Sequence, residues 1–352
     1  MQWDLFCHVI DNFGDIGVCW RLAADLASRG EKVRLWVDDA SALAWMAPTG
    51  APGVEVRDWR AAQALPRPGE VVIEAFGCDP PAGFVSLMSR TTPAPLWINL
   101  EYLSAQDYVE RSHGLPSPQL SGPGEGLVKW FYYPGFSERT GGLLRETGLM
   151  SDQAAFDADS WLASRGLLGR PGERRVSLFC YDNATLPALL HLLGQEPTLL
   201  LATAGAAGRQ VQAALGPSLI QGKLRAITLP YLTQVDYDRL LWACDFNFVR
   251  GEDSFVRAQW AGKPFVWQAY PQRDAAHQAK LEAFLRRFLH KAGEGLAEPL
   301  RGLWRAWNEP SPLPTGLPEA QAWRRHCMEW RDDLLLQADL VQQLLGFVAE
   351  RG

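Results

Sequence analysis

Trp3-Asp4-Leu5-Phe6-Cys7-His8-Val9-Ile10-Asp11-Asn12-Phe13-Gly14-Asp15-Ile16-Gly17 is the stretch on which the fold turns. A mostly apolar run breaks into a turn carrying two carboxylates, Asp11 and Asp15, and two glycines, Gly14 and Gly17. Beyond it Leu22 and Leu26, and Ala23 and Ala27, recur at helical spacing. The order is strand, loop, helix, and the loop falls at the carboxyl end of the first strand, where open α/β sheets place their ligands. Two acids there repel a phosphate and suit a proton acceptor, a hydroxyl-binding group or a cation-binding group. The plainer alternative is a turn with a helix cap, for which Asp and Gly are common. Gly14 and Gly17 make only a G-x-x-G fragment, so the dinucleotide fingerprint is absent and a nicotinamide-binding reading is weak.

Outward from this start, strand-like and helix-like segments alternate. Lys32–Val37 and residues 70–75 and 95–100 read as strands, which predicts a parallel sheet flanked by helices. The latter two run into Phe76-Gly77-Cys78-Asp79-Pro80-Pro81 and Glu101-Tyr102-Leu103-Ser104. Residues 116–126, rich in Pro, Ser and Gly, predict a long loop. Residues 130–136 predict an aromatic loop, read first as a packing segment and second as a ligand contact. A second α/β unit begins near residue 174. There Arg174-Arg175-Val176-Ser177-Leu178-Phe179-Cys180-Tyr181-Asp182-Asn183 is again a strand entering a polar turn. A helix at 185–194, a strand at 197–203, a Gly-rich turn at 205–208 and a strand at 224–229 are predicted to follow. In the tail, Trp323, Cys327, Trp330, Leu334, Ala338, Val341, Leu344 and Val348 keep helical spacing, which predicts a packing helix crossing back onto the first lobe. The expected domains are residues 1–153, residues 154–335 with a linker at about 154–172, and a returning helix at 336–352.

Composition narrows the function. The 352 residues suffice for two ordinary domains, with 47% hydrophobic and 21% charged residues. A net charge of -6 argues against general adhesion to nucleic acid or an anionic membrane. No secretory signal and no apolar run of membrane-spanning length is visible, so a cytoplasmic protein is expected. The six cysteines are scattered without a C-x-x-C pair, which fits reduced thiols better than a disulfide or zinc framework.

The other chemical constellation is Arg250-Gly251-Glu252-Asp253-Ser254, between a strand-like run and a helix-like one. Gly251 permits a tight loop, and backbone N–H groups at the helix start bind phosphate. Arg250 adds a charge contact to a diphosphate, and Glu252 or Asp253 accepts hydrogen bonds from sugar hydroxyls. The competing reading is helix capping by Asp253 or Ser254 with Arg250 in a surface ion pair. Upstream, Tyr231 offers a flat face to a base and Gln234 its edge, although a structural Tyr at this turn is about as good a reading.

Two α/β lobes, an acidic loop in the first and a phosphate-suited helix start in the second, imply a two-lobed (GT-B) glycosyltransferase architecture: two Rossmann-like lobes facing a cleft, acceptor on the first and donor on the second. The sequence resembles, along essentially its whole length, the bacterial protein-arginine rhamnosyltransferases of translation elongation factor P, the EarP family. The resemblance is carried by residues 10–17 and 250–259, supported by Leu178-Phe179-Cys180-Tyr181 and Pro230-Tyr231-Leu232-Thr233-Gln234. It implies dTDP-β-L-rhamnose as donor, an arginine of elongation factor P as acceptor, and an α-rhamnosyl-arginine product formed with inversion, activating the factor. It also implies Asp15 as general base with Asp11 beside it, and donor binding by Phe179, Tyr181, Tyr231, Gln234, Arg250, Glu252, Asp253 and Ser254. Position 231 departs from the family in carrying Tyr where Phe is frequent, a change that preserves stacking. No metal, cofactor, membrane or direct nucleic-acid partner is expected. The alternatives are a nucleotide-sugar epimerase or other two-lobed glycosyltransferase, and a noncatalytic protein that docks a translation factor.

Overall fold

The computed structural model describes every residue except 11, 12, 272–275, 310 and 352. The chain divides into two compact units, Met1–Thr147 with Leu336–Gly352, and Gly148–Leu335. In chain order the first unit holds β1 (Gln2–Cys7), α1 (Gly14–Ser28), β2 (Lys32–Val37), α2 (Leu43–Met46), β3 (Val54–Asp58), β4 (Val71–Ala75), α3 (Ala82–Arg90), β5 (Leu96–Leu100), α4 (Asp107–Ser112), β6 (Pro116–Pro118) and β7 (Val128–Tyr132). The second holds α5 (Leu149–Ala154), α6 (Ala158–Ser164), β8 (Arg174–Leu178), α7 (Leu186–Leu193), β9 (Thr198–Ala202), α8 (Ala206–Leu215), β10 (Ile220–Gln221), β11 (Leu224–Thr228), α9 (Gln234–Ala243), β12 (Phe246–Arg250), α10 (Asp253–Ala261), β13 (Phe265–Gln268), α11 (Ala276–Phe288), α12 (Glu294–Asn308) and α13 (Ala320–Leu335). The last helix, α14 (Leu340–Ala349), belongs to the first unit.

The two sheets repeat one plan. The first has the order β3-β2-β1-β4-β5-β7-β6 and the second β10-β11-β9-β8-β12-β13. All pairings are parallel except β6 with β7 and β10 with β11. Central strands of such a sheet are covered on both faces and so read as continuous apolar runs. Val71–Ala75 and Thr198–Ala202 are buried at every position. In each sheet the strand order reverses beside the first strand of the unit. That point lies between β1 and β4 in one unit and between β8 and β12 in the other. A crevice opens there because successive connections leave on opposite faces.

Several expectations change in detail. Residues 116–126 are not one long loop, because residues 116–118 pair antiparallel with β7. Trp130, Phe131 and Tyr132 are strand residues of β7, which pairs parallel with β5, rather than a loop. Of the glycines at 205–208, Gly205 lies in the expected turn and Gly208 lies inside the helix that follows it. Gly205 caps α8 with φ +85°, and at Gly208 a Cβ would come within 2.6 Å of Thr228 Cγ2. The tail is two helices, broken where the Asp339 carboxylate caps α14 by accepting from Gln342 N at 2.9 Å. The unit boundary itself lies at residues 147/148 where 153/154 was expected, and α5 and α6 fold with the second unit. Gln153 Nε2 donates to the Ala261 carbonyl there at 3.0 Å.

Candidate active site

In the first unit the loop after β1 delivers Asp15 into the first turn of α1, where a negative charge meets the positive end of the helix dipole. Asp15 is 4% exposed. Its Oδ2 accepts from Ile10 N at 2.9 Å and its Oδ1 from the Tyr102 hydroxyl at 3.4 Å. Asp11 lies outside the described residues. Nearby, burial raises the Cys19 and Cys78 thiols well above their ordinary range, so they stay protonated and poorly nucleophilic.

The neighbouring strand ends contribute residues not singled out from sequence. Phe76, directly after β4, has φ +61°, a costly conformation for a bulky side chain. Its ring stacks on Tyr102 at 4.4 Å with the planes 12° apart. Its N–H donates to the Leu100 carbonyl at 2.6 Å, and Gly77 N donates to Asn99 Oδ1 at 3.2 Å. Asn99 Nδ2 in turn donates to Glu101 Oε1 at 2.9 Å. Burial first, and the Glu101 carboxylate second, push the Tyr133 phenol up to about 12. The sequence signal for Phe76, Glu101 and Tyr102 was position alone: each follows a strand at its carboxyl end.

In the second unit the strand-order reversal gathers Phe179, Tyr181 and Arg250. Phe179 and Tyr181 follow β8, and Arg250 ends β12. The Arg250 guanidinium carbon lies 4.5 Å from the Phe179 ring centroid and 4.2 Å from that of Tyr181. It is 8% exposed, a buried cation lying against two aromatic faces. Gly251 turns the chain with φ +65°, and Trp267 Nε1 donates to its carbonyl at 2.7 Å. The Ser254 hydroxyl closes the loop, donating to the Arg250 carbonyl and accepting from Arg250 N at 3.2 Å. Glu252 occupies the cap position of α10 and pairs with Lys280 at 2.5 Å, and Asp253 opens the helix. The buried Arg257–Asp238 pair, with N–O distances of 2.9 and 2.8 Å, ties α10 to α9.

Tyr231 and Gln234 sit at the connection from β11 into α9, Tyr231 52% exposed and Gln234 buried. Helix α9 reaches the aromatic group through Tyr237, whose ring meets Phe179 at 5.7 Å. Burial raises the Tyr237 phenol well above its ordinary value. Tyr181 is braced by Gln268, whose Oε1 accepts from Tyr181 N at 2.9 Å, and by the Tyr270 ring at 5.4 Å. Tyr237, Gln268, Tyr270 and Lys280 were not anticipated. The available signal for Gln268 and Tyr270 was the apolar run from Phe265 after Gly262-Lys263-Pro264, which is β13 and the loop beyond it.

Each unit therefore presents its chemistry at its own strand-order reversal. The first offers a carboxylate at a helix start, suited to accept a proton or hold a cation. The second offers an arginine and the N-terminus of α10, suited to a diphosphate.

The model for "Elongation-Factor P (EF-P) rhamnosyltransferase EarP" matches residues 3–349. The protein-arginine rhamnosyltransferase of Pseudomonas aeruginosa is 44% identical, over 99% of each chain. That of Shewanella oneidensis is 38% identical, over 99% of this chain and 97% of its own. A solved structure described as the basis for EarP-mediated arginine glycosylation of translation elongation factor EF-P superposes with a TM-score of 0.69 at 30% identity, covering 100% of this chain and 99% of that one. CalG4, the calicheamicin glycosyltransferase, superposes with a TM-score of 0.53 at 13% identity over 99% of both chains. Likeness at that level shows the fold alone, which is the α/β fold of two Rossmann-like units shared by GT-B glycosyltransferases. By sequence and by fold, the chain belongs to the EarP family of elongation factor P rhamnosyltransferases.

Proposed function

We propose that this protein transfers L-rhamnose from dTDP-β-L-rhamnose to an arginine side chain of elongation factor P, with inversion and without a metal, and so activates the factor. The observation that carries the reading is that each sheet presents a charged residue beside its strand-order reversal, Asp15 just after β1 and Arg250 at the end of β12, in a chain of this family. A translation factor as acceptor puts the reaction in the cytoplasm, and no described helix is long and apolar enough to cross a membrane.

The chemistry is set by the acceptor. A guanidinium has a pKa of about 12.5 or higher and no carboxylate removes its proton in the ground state. Asp15, with Asp11, orients the group through charge-assisted hydrogen bonds. The guanidinium nitrogen then attacks the anomeric carbon from the face opposite the leaving oxygen. The C–N bond forms as the C–O bond to dTDP breaks, which inverts that centre. Asp15 takes the proton late, when the attacking nitrogen has become acidic. The departing diphosphate gathers negative charge, which Arg250 and the N-terminal turn of α10 stabilise in the role that a metal has elsewhere. Phe179, Tyr181 and Tyr231 supply aromatic faces for the nucleotide, Gln234 an edge contact, and Glu252, Asp253 and Ser254 polar contacts to the sugar diphosphate.

The test is the intact mass of elongation factor P after incubation with this protein and dTDP-β-L-rhamnose. Addition of one deoxyhexosyl group, mapped to one arginine, is expected. Donor turnover without acceptor points to an epimerase. Binding of the factor without any mass change points to a docking protein.

A further inference from the structure

The geometry points to Tyr102 as a positioning residue for Asp15, held in place by the strained Phe76; this inference rests on the transfer reaction proposed above. Three strand ends meet at this place. Asp15 comes from the loop after β1, Phe76 from the end of β4 and Tyr102 from the loop after β5. A tyrosine 87 positions along the chain from Asp15 directs its hydroxyl at Oδ1, while Ile10 N occupies Oδ2. Donors from two different segments on its two oxygens fix the plane of the carboxylate. At 3.4 Å the Tyr102 contact is long for O–H···O, as hydrogen bonds of catalytic groups often are before substrate tightens them.

The second observation is the backbone of Phe76. A phenylalanine with φ +61° persists only where its surroundings over-determine it. Here Phe76 N is anchored to the Leu100 carbonyl, Gly77 N to Asn99, and Asn99 to Glu101. The first two bonds join the residues after β4 to Leu100 and Asn99, the last two residues of β5, and the third ties Asn99 to Glu101 just beyond. Their product is a ring laid flat against Tyr102. Tyr102 is 37% exposed, and the stack restrains the part of its ring that faces Phe76. The strain at residue 76 therefore sets the position of a hydroxyl, and the hydroxyl sets the orientation of the base.

A hydroxyl that donates to a carboxylate favours its charged form. Removing it raises the pKa of Asp15, so the acid limb of the rate profile moves to higher pH. Cys19 of α1 also faces Asp15, but burial keeps it a neutral thiol throughout that range.

The experiment compares wild type, Tyr102→Phe and Phe76→Ala in steady-state transfer to elongation factor P across pH, with donor affinity measured by calorimetry. Tyr102→Phe keeps the stacked ring and removes only the hydroxyl. It is expected to lower kcat by roughly tenfold to a hundredfold, the range for one hydrogen bond to a charged group. Donor affinity and the KM for elongation factor P should stay at wild-type values, with the acid limb displaced to higher pH. Phe76→Ala keeps the hydroxyl and frees the ring, and should show the same displacement in weaker form. Wild-type kcat and an unmoved acid limb in Tyr102→Phe overturn the inference, as does a change confined to KM. Should wild type itself fail to modify the factor, the reaction proposed above fails instead, and the two failures are distinct. Near-wild-type melting of Tyr102→Phe separates loss of positioning from loss of folding.

Discussion

A carboxylate facing a guanidinium must take its proton during bond formation, so Asp15 is tested by a change that keeps its shape. Asp15→Asn is expected to lose transfer by roughly a hundredfold to ten-thousandfold, the usual worth of a positioned base. Donor affinity should be unchanged, since the residue belongs to the other unit from Arg250. Near-wild-type transfer would remove Asp15 from the base role. Tyr231 is more than half exposed and is proposed to stack on the base. Tyr231→Ala should weaken dTDP-rhamnose binding by about 1–3 kcal/mol if it behaves as other base–aromatic stacks do. Ser254→Ala should also weaken it, because the Ser254 hydroxyl holds the turn that presents Arg250. Calorimetry with both variants at wild-type affinity would place the nucleotide elsewhere.

Strand β1 carries the acidic loop, and its stability rests on an unusual centre. Asp4 is fully buried, yet it receives four hydrogen bonds: Arg34 Nε at 2.6 Å and Nη2 at 2.7 Å, Trp36 Nε1 at 2.8 Å and Gly69 N at 2.7 Å. Of the three donor residues, Arg34 and Trp36 belong to β2 and Gly69 to the turn before β4, so one carboxylate of β1 ties β2 and the start of β4 to its own strand. Asp4→Ala leaves a largely buried guanidinium and two further donors without a partner. It should cost about 3–5 kcal/mol, measured by urea unfolding. A loss below 1 kcal/mol would mean that water replaces the carboxylate at no cost. Donor affinity in the second unit should not change.

On the scale of the whole molecule, the tail belongs to the unit built from the other end of the chain. Leu340, Val341, Leu344 and Val348 are buried in one cluster with Leu22, Leu26, Tyr132 and Leu144. Arg29 also pairs with Asp339 at 2.7 Å. Removing residues 336–352 should therefore melt the first unit at markedly lower temperature, by several kcal/mol for four exposed core side chains. Donor binding by the second unit should persist. A single calorimetric transition at the wild-type temperature would contradict this. The charge balance of the reaction gives another test at this scale. On the proposal that Arg250 and the start of α10 stabilise the diphosphate, excess EDTA should leave the transfer rate within error. Abolition by EDTA and recovery with Mg²⁺ would instead make Asp11 and Asp15 cation ligands, and a coordinated carboxylate is a poor base.

By itself, the sequence determined what local pattern can encode. Residues 3–17 and 246–261 are legible as strand, turn and helix because an apolar run, a glycine and an amphipathic period each act over a few residues. For the same reason Asp15, Arg250 and Ser254 could be named before any contact was known. Tertiary structure decided the rest. Residues 116–118 contain two prolines, and they are a strand only because β7 lies alongside, as edge pairing depends on the neighbour more than on intrinsic preference. The helical period of the tail runs through Ala338 without interruption, and although a helix returning to the first lobe at 336–352 was expected, the break that Asp339 makes between α13 and α14 is not visible in the period, since periodicity specifies a buried face and not where a helix is interrupted. Phe76 and Tyr102 escaped notice for a related reason. Their significance lies in a stack and a hydrogen bond that reach Asp15 across 87 positions, and contacts of that span form only when β1, β4 and β5 stand side by side.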